Sequence, residues 1–139
     1  MRSLVSLIVL GVSLLRGASL PAQSDTAALA KSLAGKRAIG WVSAVNSGTD
    51  AQVEAFLRAN LNPGELADGP PMSERLKRYQ AFHDRLSPAA ISEVIRSDER
   101  KVVLILKTKG DQRVRFTMTL EPESPHGIGQ FDLEPLREP

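Results

Sequence analysis

Between residues 26 and 86 the apolar positions recur with the period of a helix, and from residue 90 onward they alternate with the period of a strand. Residues 26–47 are rich in Ala, Leu, Lys and Val and contain no proline, and Gly35 divides a leader from a tighter helix that begins near Lys36. At about 100° per residue, Ala38, Trp41, Val42 and Val45 share one face, with Lys36 and Ser43 opposite. Asn46-Ser47-Gly48 ends this helix with residues that tolerate turn geometry. Thr49-Asp50-Ala51-Gln52 then offers a T-x-x-Q capping box for a second helix, from Asp50 to about Leu61, that buries Val53, Phe56, Leu57 and Leu61. From Asn62 to Pro71 the prolines, glycines and acids predict an exposed connection. A third helix, capped by Ser73, runs to about Leu86 and gathers Leu76, Tyr79, Phe82 and Leu86 on one side, with His83 inside the apolar arc and Arg78 and Arg85 flanking it.

Four strands follow: 90–97, 100–109, 112–121 and 128–136. In the third, Val114, Phe116, Met118 and Leu120 alternate with Arg113, Arg115, Thr117 and Thr119. A two-residue Gly110-Asp111 turn sets Lys109 opposite Gln112, Ile105 opposite Phe116 and Val103 opposite Met118, with that face turned toward the helices. The other face then carries Val102, Leu104 and Leu106, which is too apolar for solvent and predicts a homodimer through the sheet. Helices first and an antiparallel sheet last is an α+β layer arrangement.

The first residues carry an address. Arg2 precedes an uncharged apolar run from Leu4 to Leu15, which Arg16 closes well short of the roughly 18 residues a bilayer requires. The expected organisation is a signal peptide at 1–22, cleaved after Ala22, a leader at 23–35 and a domain at 36–139, with export to a bacterial periplasm or beyond the cell. No membrane anchor is expected after cleavage. The whole chain has 18 Lys+Arg against 16 Asp+Glu, and removal of Arg2 and Arg16 leaves the mature part balanced. A phosphate-backbone binder needs basic residues in excess on one surface, so nucleic acid is not an expected partner. The absence of cysteine excludes disulfides, thiolate zinc sites and thiol nucleophiles. His83 and His126 are the only imidazoles, which excludes a three-histidine metal site. No metal or cofactor is expected, and His126 falls in a solvent-exposed turn, Pro122 to Gly127.

The stretch Ile39 to Asp50 (IGWVSAVNSGTD), followed by Val53 to Leu57 (VEAFL), resembles the helix, Asn-Ser-Gly-Asp, helix opening of the nuclear-transport-factor-2-like superfamily, which includes ketosteroid isomerase, scytalone dehydratase and polyketide cyclases. Pro71 to Leu76 (PMSERL) and the terminal strands are similar to domains of this fold that precede secreted bacterial peptidases and serine hydrolases. The resemblance spans about residues 36–136. It implies a curved four-stranded sheet that forms a cone with the helices. The open end of such a cone can hold an apolar ligand, with Trp41, Phe56, Phe82, Phe116 and Met118 as its pocket-lining residues, although the place of Trp41 on the buried face of its helix also suits a core anchor. Neither an S-x-x-K nor a G-x-S-x-G nucleophile motif occurs, so any hydrolase activity would come from another chain.

One pair of side chains suits acid–base chemistry. Tyr79 and His83 lie one helical turn apart, so the phenol could donate to a developing oxyanion while the imidazole moves a proton. Asp132 could orient His83 only if it pointed inward, and alternation with Phe131 and Leu133 sends it outward. The competing reading has His83 and Tyr79 in the core, with their polar atoms satisfied by backbone or water. Two functions follow. One is an exported non-catalytic domain, accessory to a secreted hydrolase, that binds a small apolar ligand or a protein partner. The alternative is a small isomerase, dehydratase or cyclase working in the cone with His83 and Tyr79.

Overall fold

In a computed structural model that describes residues 26–137, the helices come first and pack on one face of a four-stranded antiparallel sheet. The export segment expected at 1–22 lies outside the described residues. Helix α1 spans Leu33–Ser47, and Ser32 caps it by accepting from the Gly35 amide at 2.9 Å. Glu99, in the turn between the first two strands, accepts from Leu33 N through its carboxylate and from Ala34 N through its carbonyl. Amides that a helix start leaves unpaired are thus satisfied, and the carboxylate complements the positive end of the dipole. The expected leader contributes Leu29, which is 1% exposed and belongs to the core.

Helix α2 spans Asp50–Asn60, α3 Pro63–Asp68 and α4 Met72–Leu86. Two expectations about caps change here. Thr49 holds the N-cap position of α2 but makes no side-chain capping bond, and Pro71, not Ser73, precedes α4. The connection expected to be exposed holds a short helix, α3, none of whose residues is buried; it begins with Pro63 in its first turn, where a missing amide costs nothing. Among the described residues no helix is long and apolar enough to cross a membrane.

The strands are β1 Ala90–Ser97, β2 Lys101–Thr108, β3 Gln112–Leu120 and β4 Ile128–Pro135, paired in that order. The register between β2 and β3 differs from expectation by one residue. Thr108 pairs with Gln112, so the loop has three residues, with Gly110 (φ 73°) and Asp111 (φ 58°) both left-handed. Leu104 therefore faces Phe116, and Val102 faces Met118. A one-residue slip exchanges every side chain between faces. The observed register turns Val102, Leu104 and Leu106 inward at 0% exposure, whereas the expected one would have turned Lys101 and Lys107 toward the core with Val103 and Ile105.

The apolar residues invoked for a homodimer are thus in the core. The outer face instead carries cross-strand charge pairs, Arg115–Glu134 at 3.2 Å and Arg113–Glu93 at 3.7 Å. Ile105 lies between its register partners Glu93 and Arg115 and is 2% exposed.

All six aromatic residues of the chain join one cluster on the inner face. Trp41 is its hub, with ring centroids 4.7 Å from Phe116, 5.7 Å from Phe82, 5.7 Å from Phe131 and 6.3 Å from Tyr79. Phe56 joins through Tyr79 at 6.3 Å. Aromatics are scarce in this chain, and concentrating them at one point gives a small domain its largest apolar burial per side chain.

Candidate functional site

Helix α4 places two sets of polar side chains against the apolar interior, one at its C-terminal end and one along its N-terminal half. At the C-terminal end, His83 Nδ1 lies 2.7 Å from the Val45 carbonyl. A carbonyl only accepts, so Nδ1 carries the proton and donates it. That carbonyl belongs to the last turn of α1, where backbone acceptors have no partner within the helix. The ring also rests on Gly48, the left-handed (φ 64°) residue that ends α1. A Cβ built there would lie 2.7 Å from both Cε1 and Nε2 of His83.

Beside it Asn46 gives and takes two bonds with the Ala89 backbone, each 2.8 Å, which pins the start of β1 to the end of α1. His83 and Asn46 together form a closed junction. The Asn-Ser-Gly stretch that carried the family resemblance here does structural work in a helix terminus.

Tyr79 is 4% exposed. Burial holds its phenol well above the usual tyrosine range, while Trp41, Arg75 and Arg78 pull weakly the other way. The Trp41 indole N–H closes no hydrogen bond of normal geometry, so its influence on the phenol is that of a nearby dipole. Neither Tyr79 nor His83 lines the open cleft between α4 and β4. Of the expected pocket-lining residues, Trp41, Phe116 and Met118 are 0% exposed and Phe56 is buried, so these side chains fill the cone. Phe82 is half-buried and reaches an open surface.

That surface is a cleft of about 440 Å³ between α4 and β4, bordered by Phe82, Phe131, Arg75, Arg78, Glu65 and Gln130. Phe82 and Phe131 meet edge to face, with centroids 5.8 Å apart and planes at 74°, and form its apolar floor. Arg75 builds one wall. Its guanidinium donates to the Pro70 carbonyl at 3.0 Å, to the Glu65 carbonyl at 3.0 Å and to the Glu65 carboxylate at 3.1 Å, tying α3 and its exit to α4. Arg78, one turn before Phe82, is exposed and makes no hydrogen bond or ion pair among the described residues. The sequence gives Arg75, Lys77 and Arg78 as one basic cluster, but the helix separates them: Lys77 borders a different depression, with Asp50 and Gln80.

The remaining candidates have local roles. Asp132 is exposed and pairs with Thr117, so it points away from the interior. His126, expected to be solvent-exposed, is half-buried, and its Nδ1 is 3.0 Å from the Glu121 carbonyl inside its own loop. Arg37 is a buried cation that sequence reasoning did not single out. It donates to Asn60 Oδ1 at 2.8 Å and to the Pro125 carbonyl at 3.0 Å, and burial lowers its affinity for a proton. It ties the C-terminal end of α2, where a cation is favoured, to the β3–β4 loop. Among the described residues no three His, Asp or Glu side chains converge on a metal site.

Comparisons with protein-family models, with curated proteins and with solved structures found no match to this chain.

Proposed function

We propose that this chain acts as an exported, non-catalytic binding domain whose ligand seat is the cleft between α4 and β4. The observation that carries the reading is the contrast between a filled cone and an open cleft. The aromatic side chains that would have walled a deep catalytic pocket are packed on Trp41, and His83 is committed to the Val45 carbonyl. Among the surface depressions, the cleft between α4 and β4 sets an apolar aromatic floor inside a polar rim, in a volume of about 440 Å³ that suits a small molecule. Export belongs to the proposal on the strength of the charged start, the short apolar run and the small-residue exit at residues 17–22. Membership of the nuclear-transport-factor-2-like superfamily is likewise a proposal, supported by the order of elements and by the layering of helices on one sheet face.

The test is mass spectrometry, under non-denaturing conditions, of the chain isolated from a host that exports it. The reading predicts a mature product beginning near Gln23 and carrying an added small mass that organic solvent releases. A bare polypeptide mass would contradict small-ligand binding, and a product retaining residues 1–22 would contradict export.

A further inference from the structure

The cleft between α4 and β4 leaves one charge uncompensated. Of its ionisable border residues, Glu65 and Arg75 pair at 3.1 Å, while Arg78 has no ion-pair partner among the described residues. We propose that the cleft seats a small monocarboxylate with a flat apolar body, the carboxylate on Arg78 and the body on Phe82 and Phe131. This rests on the binding-domain reading above and adds the charge and shape of the ligand.

The guanidinium is a planar fork that matches a carboxylate with two parallel hydrogen bonds, and among the described residues no carboxylate pairs with it. At the Arg78 end a cationic ligand would meet repulsion, because Glu65, the carboxylate among the residues that line the cleft, is already paired with Arg75. The floor favours a flat body. Phe82 and Phe131 are held edge to face at 5.8 Å and each is backed by Trp41 at 5.7 Å, so the surface is rigid before anything binds. Orientation has a source as well. Glu121, whose carboxylate lies against Gly129, borders a neighbouring depression with Glu123, and that acidic margin disfavours a carboxylate near the Gly129 border.

The experiment is titration calorimetry of the full chain at low ionic strength with 2-naphthoate and its neutral isostere 2-naphthamide. The proposal predicts that naphthoate binds roughly tenfold more tightly than the amide, the scale of one charge-assisted hydrogen-bonded contact. In Arg78→Gln that difference disappears, and added salt weakens only the carboxylate. Phe131→Leu, which keeps most of the floor's volume, weakens both probes together. Equal binding of the two probes, or an undiminished difference in Arg78→Gln, overturns the carboxylate assignment and leaves the binding-domain reading standing. Absence of binding by either probe overturns the assignment too, whereas the binding-domain reading fails only on a bare mass for the exported chain.

Discussion

The two ends of α4 meet the interior in opposite ways. At the C-terminal end, His83 and Asn46 close onto the backbone of α1 and β1 through bonds of 2.7 and 2.8 Å. At the N-terminal half, Arg75 is consumed in holding α3, and Arg78 is left over beside an aromatic floor. The residue type that most invites chemistry, a histidine on an apolar face, is thus a fixed donor, and an arginine that reads as a solvated flank borders the open cleft. Chemical character alone does not decide function. What matters is whether a polar atom's hydrogen-bonding capacity is already taken.

The comparison depends on the aromatic hub that separates the two ends, and its removal should have the largest effect. Trp41→Ala deletes a side chain that is 0% exposed and touches Tyr79, Phe82, Phe116 and Phe131. A loss of about 3–5 kcal/mol in urea unfolding is expected. A loss below about 1 kcal/mol would show that the cone is not filled as described.

The closed junction can be attacked next. Gly48→Ala places a Cβ on a left-handed residue and 2.7 Å from the His83 ring, so a loss of about 1–3 kcal/mol is expected. In the His83→Ala background the clash is gone, and only the backbone part of that cost should remain. Equal costs in both backgrounds would deny that the ring rests on Gly48.

Tyr79 sharpens the contrast through pH. Its folded pKa lies above the unfolded value of about 10, so the phenol's contribution is fully present below pH 10 and is lost as pH rises from there toward the folded pKa. Within that window stability should fall by about 1.4 kcal/mol per pH unit from this group, because the unfolded chain releases the proton first. Unfolding of Tyr79→Phe measured from pH 9 to 11 should show a shallower decline than the parent. An unchanged slope would mean that the phenol is accessible to water.

Much of the fold was legible in the sequence because it rests on periodicity. Helix α1 ends at Gly48 as its Asn-Ser-Gly stretch predicts, the strands fall within a residue or so of their expected limits, and Trp41, Val45, Phe116 and Leu120 are buried as their spacing requires. The register of β2 on β3 was misjudged because a Gly-Asp pair suits a two-residue turn, while the actual loop also takes in Lys109. The signal that decides it was present: Lys101 and Lys107 share a face with Val103 and Ile105, so that face belongs outside. In the site, the Tyr79–His83 proximity follows from helical spacing, but the Val45 carbonyl that occupies His83 lies 38 residues away. That Arg75, and not Arg78, pairs with Glu65 across a ten-residue separation is something no local pattern reveals.

His83 is thus structural, and Arg78 is spare. Side-by-side urea unfolding at neutral pH of His83→Gln and Arg78→Gln tests this contrast most directly. His83→Gln should lose about 1–2 kcal/mol, through the bond to the Val45 carbonyl and the packing on Gly48, while Arg78→Gln should stay within about 0.5 kcal/mol of the parent. A stable His83→Gln beside a destabilised Arg78→Gln would contradict it.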